Sequence, residues 1–115
     1  MDHRHTQEDL RTPARELREQ IPEVLSAFSH LSKAAMAEGA LETKTKELIA
    51  LAIAITRECD GCVAAHAKGA VRHGATREEV AEMIGVTILM NGGPGTVWGP
   101  RALEAFDQFS EASSA

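Results

Sequence analysis

Cys59 and Cys62 are the only cysteines in the 115 residues, and His66 follows four residues after the second. On a helix, at 100° per residue, these three side chains share one face, with Ala70 and His73 continuing it and Lys68 pointing away. A cysteine near a helix N-terminus feels unpaired N–H groups and the positive end of the backbone dipole, which favour thiolate. An imidazole one turn from Cys62 can exchange a proton with that thiol or with a bound peroxide. Cys59 can then close a sulfenic acid on Cys62 into a disulfide before over-oxidation. Small Ala65 and Ala70 leave room beside the sulfurs.

Glu47 joins this group by inference. It stands twelve residues before Cys59, at the head of the apolar run 48–55. Its helical neighbours Ala50, Leu51 and Ala54 are apolar, so the carboxylate is expected to face protein and to need a partner. His66, directly or through a water, is one partner; Lys44 at the surface is the other, and spacing does not choose between them.

Other chemistries of a Cys-x-x-Cys pair are distinguishable. A haem attachment site needs histidine directly after the second cysteine, where Val63 stands; a thioredoxin-type site needs a preceding strand in a βαβ unit. Two thiolates, an imidazole and a carboxylate form a reasonable zinc ligand set. Redox, zinc-binding and simple packing roles all remain open on spacing alone.

The elements that must position these residues read as helices. Residues 1–11 are polar and are expected to form a solvated N-terminal arm, with His3 and His5 exposed on it. Thr12 and Pro13 look like an N-cap and N1 proline opening a helix over 14–20. Pro22 restarts a second helix, which stops near Gly39. A third runs from about 43 to 57 through the apolar stretch, and a fourth from about 59 to 73 with Gly74 beyond its end. Thr76 and Glu79 have capping-box spacing and open a fifth. Residues 91–95, Asn-Gly-Gly-Pro-Gly, read as a loop, and a last helix spans about 98–109. The expected fold is therefore all-α, about six helices, with a single domain over 12–111.

Composition bounds the rest. With 43% hydrophobic and 25% charged residues the chain is globular, but aromatic residues make up only 3% (Phe28, Trp98, Phe106, Phe109). A core of small aliphatic side chains buries little area per residue, so further burial against copies of the chain, a homo-oligomer, is expected. A net charge of −5 without a basic stripe argues against nucleic acid. No apolar stretch is long enough to span a bilayer, and the polar start lacks a secretory apolar segment. A cytoplasmic address is the expectation.

Glu47, Cys59-x-x-Cys62-x-x-x-His66, the surrounding KTKELIALAIAITRECDGCVAAHAKGAVRHGATREEVAEMIG and the later MNGGPG together resemble the alkylhydroperoxidase AhpD-like family within the carboxymuconolactone decarboxylase superfamily, over about residues 40–95. The resemblance implies an all-helical fold assembling as trimers, or as hexamers built from dimers. It implies a thiol peroxidase or disulfide oxidoreductase with no bound cofactor: Cys62 peroxidatic, Cys59 resolving, His66 the base and Glu47 its partner. The substrate would be a hydroperoxide, and the electron donor an external dithiol, a lipoyl or thioredoxin-like protein. Some peroxidase members carry a histidine immediately before the second cysteine, where this chain has Gly61. True lactone decarboxylases of the superfamily share the fold without needing the cysteine pair. That activity, and a non-catalytic zinc-binding or structural oligomer, are the alternatives.

Overall fold

The computed structural model describes residues 1–114, which form six α-helices: α1 (His3–Gln20), α2 (Pro22–Met36), α3 (Thr43–Thr56), α4 (Asp60–Arg72), α5 (Arg77–Asn91) and α6 (Gly93–Ser114). No strand occurs among the described residues, as the absence of any alternating apolar pattern led one to expect. No helix is long and apolar enough to cross a membrane.

α4 is the central element, packed against α1, α3 and α6. Its inward face is Val63, Ala64, Ala67 and Ala70, all fully buried. Methyl side chains let three helices approach one axis closely. Leu51 and Ile55 of α3, Val80 and Ile84 of α5, and Ala102, Ala105, Phe106 and Phe109 of α6 complete the core. α2 touches only α1 and α3 and buries none of its own residues. Its Val24, Phe28 and Leu31 point outward at more than 60% exposure.

Local chemistry fixes the helix ends. Thr76 Oγ1 accepts the Glu79 N–H at 3.1 Å while the Glu79 carboxylate accepts the Thr76 N–H at 2.8 Å, the expected capping box. Thr76's N–H and, next, Lys44 at 3.1 Å hold the Glu79 carboxyl below its ordinary range, tying the start of α5 to α3. Gly74, after α4, takes the left-handed φ of +81° that glycine tolerates at a helix end. At the other side of the site, buried Thr43 donates its hydroxyl to Met36 O at 2.8 Å and its N–H to Glu38 at 3.2 Å, which anchors the first turn of α3.

Two expectations are corrected. Residues 3–11 are not a solvated arm but the first turns of α1, which runs straight through Thr12 and Pro13. Two α6 side chains hold this end: the His3 N–H donates to Gln108 Oε1 at 2.9 Å, and its fully buried ring meets Glu104 at 3.2 Å. Gln108 also donates to Met1 O at 3.0 Å. A polar sequence conceals such a helix because its support comes from tertiary contacts. Residues 91–95 are likewise not a loop: the break is confined to Gly92 (φ +66°), and α6 begins at Gly93 with Pro94 in its first turn, where a missing N–H costs nothing.

The glycines of this stretch serve a helix crossing. A Cβ on Gly95 would lie 3.0 Å from Ile88 Cα, and one on Gly99 would lie 2.6 Å from Ile84 Cγ2. Gly85 in α5, by contrast, has nothing within 4 Å of such a Cβ. Gly99→Ala is therefore expected to destabilise the fold by about 1–3 kcal/mol through overpacking. Gly85→Ala should stabilise it by about 0.5–1 kcal/mol through helix propensity. Urea unfolding midpoints check both, and shifts of the same sign would contradict so close an α5–α6 contact.

Candidate active site

The connection between α3 and α4 is residues 57–59, and its tightness places the cysteines. Arg57 stays helical, Glu58 turns into the left-handed region at φ +53°, and Cys59 leaves extended as the N-cap of α4. A glutamate in that region costs of order 1–2 kcal/mol. The Cys59 N–H donates back to Ala54 O at 3.2 Å, so the turn closes directly onto the last turn of α3.

Cys59 and Cys62 are joined as a disulfide, their Cα atoms 5.2 Å apart. Cys59 is half-buried and Cys62 exposed. The Cys59 sulfur also accepts the Cys62 N–H at 3.2 Å, which makes it the side-chain cap of α4. The sulfur therefore sits among the unpaired N–H groups that stabilise negative charge. Among the described residues no three His, Cys, Asp or Glu side chains converge as metal ligands.

Glu47, on the second turn of α3, is buried, and its Oε2 lies 3.1 Å from His66 Nδ1. The choice left open by spacing falls to His66; Lys44 turns instead to Glu79 and Glu42. The carboxylate fixes the imidazole's orientation and, by accepting from Nδ1–H, leaves Nε2 as the free nitrogen. His66 remains about one-third exposed, so its free edge reaches solvent. On α4 it follows Cys62 by one turn, which puts the two side chains about 5–6 Å apart at Cβ. The structure thus gathers Glu47 and His66 in contact, with the disulfide one turn away.

Two glycines shape this site: Gly61 was singled out in the sequence only as a departure from the family pattern, Gly69 was not singled out, and the packing role of both emerges only here. Gly69 lies three residues past His66, and a Cβ there would overlap the Glu47 carboxylate. The pocket that receives this buried acid is the missing side chain of α4. Its signal was visible: a helix-disfavoured residue on the same face as Cys62 and His66 in an alanine-rich helix. At Gly61 a Cβ would stand 3.1 Å from Leu10 Cδ1, because α1 lies across the start of α4. The space that a larger residue before Cys62 would need is here taken by α1.

The six-helix fold agrees with the comparisons. The profile of the carboxymuconolactone decarboxylase family matches residues 22–108, and the chain belongs to that family. It is 42% identical over 106 residues, 86% of its length and 94% of the relative's, to an uncharacterized protein of Cupriavidus necator. A second relative, uncharacterized protein 4 in the cox locus of Paracoccus denitrificans, is 42% identical over 75% of this chain and 78% of its own. The crystal structure of an apo carboxymuconolactone decarboxylase family protein from Legionella pneumophila superposes with a TM-score of 0.91 at 42% identity, covering 94% of this chain and 96% of that one.

Gly69→Ala should push the Glu47 carboxylate out of its recess and cost about 1–3 kcal/mol. Combining it with Glu47→Ala should recover most of that loss, since the added methyl then fills vacated space. Thermal unfolding of the two single variants and the double variant measures this. A double variant as unstable as Gly69→Ala alone would show that the glycine accommodates something other than the carboxylate.

Proposed function

We propose that this chain is a dithiol peroxidase, reducing an organic hydroperoxide or hydrogen peroxide and regenerated by an external dithiol. The observation that carries the reading is a disulfide at the N-terminus of a helix whose next turn presents an imidazole bound to a buried carboxylate. In the reduced protein His66 takes the proton of Cys62, and the thiolate attacks the terminal peroxide oxygen. The O–O bond breaks, Cys62 becomes a sulfenic acid, and the departing alkoxide takes its proton from His66. Glu47 stabilises the imidazolium between these events. The Cys59 thiol then attacks the sulfenic sulfur, forming the disulfide and releasing water. A donor dithiol, of the lipoyl or thioredoxin-like class, returns two electrons and two protons and leaves as its own disulfide. The exposure of Cys62 suits it both to meet peroxide and to be attacked by that donor.

The name of the family favours one second reading, a lactone decarboxylase. That activity needs neither sulfur, so turnover surviving alkylation of both thiols would identify it.

The proposal includes self-association. The exposed ridge of Val24, Phe28 and Leu31 on α2, and Ile49, Ile53, Val86 and Met90 flanking an apolar groove between α3 and α5, are surfaces of the kind that copies of a chain bury. Burying one such side chain fully contributes about 1.5–3 kcal/mol. Phe28→Glu is expected to lower the assembly state in analytical ultracentrifugation, and an unchanged sedimentation coefficient would exclude α2 from the interface.

Intact-mass spectrometry after stoichiometric peroxide tests the chemistry. The reduced wild-type chain should lose two hydrogens without gaining oxygen. Cys62→Ser should abolish peroxide consumption, whereas Cys59→Ser should retain an oxidised Cys62 that a thiol-reactive probe traps. His66→Ala should slow the peroxide step by about 10²–10⁴-fold. Full activity in both cysteine variants would overturn the assignment.

A further inference from the structure

Away from the cysteines, α1, α4 and α6 line an open cavity of about 390 Å³, within the roughly 300–1,000 Å³ usual for small-molecule sites. Its charged lining is one-sided: Arg4, Arg11, Lys68 and Arg72 face a single carboxylate, Glu8. This clustering occurs in a chain whose net charge is −5. Arg4 leans towards Asp2 at 3.5 Å. Arg11, Lys68 and Arg72, however, form no ion pair with a carboxylate among the described residues. Like charges gathered around one concavity repel, and an anion placed among them relieves that repulsion. Besides the polar Gln7 and Ser113, the uncharged lining is apolar, formed by Val71, Phe109 and Ala112. Lys68 Nζ itself lies over the Phe109 ring, 6.0 Å from its centre.

We propose that this cavity binds a single-chain organic carboxylate, its head group held by the arginines and its alkyl chain laid on the apolar floor. Guanidinium forks match the two oxygens of a carboxylate, and the floor offers an alkyl chain the burial that an inorganic anion could not use. The direction of the chain follows from helix geometry. Gly61, Lys68 and Arg72 share one face of α4, and at 1.5 Å per residue Gly61 is about 10 Å from Lys68 and about 16 Å from Arg72 along the axis. Gln7 and Arg11, which line the cavity, also line a shallower depression that ends at Gly61, the residue before Cys62. The α1–α4 seam thus runs from the cationic cavity towards the cysteines. The site is assigned independently of any peroxide chemistry.

Calorimetric titration of the wild-type chain with octanoate, at low ionic strength, tests the assignment. Octanoate should bind saturably at one site, with octanol and inorganic phosphate each at least about tenfold weaker. Arg11→Gln/Arg72→Gln, two changes at exposed positions, should weaken octanoate by about tenfold or more while circular dichroism shows unchanged helicity. Arg11→Gln alone, on the outer helix, should show part of that loss. The site is overturned if octanoate fails to bind, if octanol or phosphate binds as well, or if the arginine variants bind octanoate like wild type.

Discussion

A carboxylate and an imidazole 3.1 Å apart, one on α3 and the other on α4, govern the arrangement of everything near the cysteines. Glu47 is buried, and a buried acid must be paired or protonated. His66 supplies the partner and Gly69 the space, so one turn of α4 is committed to accommodating a single side chain of α3. The short turn at 57–59 sets the register between the two helices, and its left-handed Glu58 is a cost accepted to keep it short. The N-cap position of Cys59 follows from that same turn. The site is therefore a product of the α3–α4 hairpin, with α1 covering its edge at Gly61.

The rest of the fold is built from small residues used as spacers. Ala64, Ala67 and Ala70 bring neighbours close to α4, and Gly95 and Gly99 do the same between α5 and α6. Each such contact excludes little apolar surface from water, in proportion to its area. Other large apolar side chains, Phe28 and Leu31 of α2, Ile49 and Ile53 of α3, and Val86 and Leu89 of α5, lie outside the core, where they remain available to a second chain.

Much of this was legible in the residues. The all-helical class, the bounds of α3 to α5, the capping box at Thr76 and the placing of Cys59, Cys62 and His66 along the first turns of one helix rest on local rules of capping and periodicity, and the structure agrees. What local rules cannot convey is which surface meets which. The first turns of α1 are polar and depend on Glu104 and Gln108, roughly a hundred positions away, so they resembled a solvated arm. The start of α6 resembled a loop because glycine and proline have two uses, and only the position of Ile84 and Ile88 shows that close approach is the one in force here. The choice of His66 over Lys44 for Glu47 likewise depends on inter-helix register, as does the purpose of Gly69.

On the proposed function Cys59 would have two duties at once, as a redox sulfur and as the N-cap of α4. A charged sulfur accepts an N–H more strongly than a neutral one, so a thiolate at position 59 would hold the first helical turn more tightly than the bridged form does. Helix order and electron inventory are in this sense one equilibrium viewed from two ends. A substitution that frays the start of α4 would shift the midpoint potential of the pair without touching either sulfur.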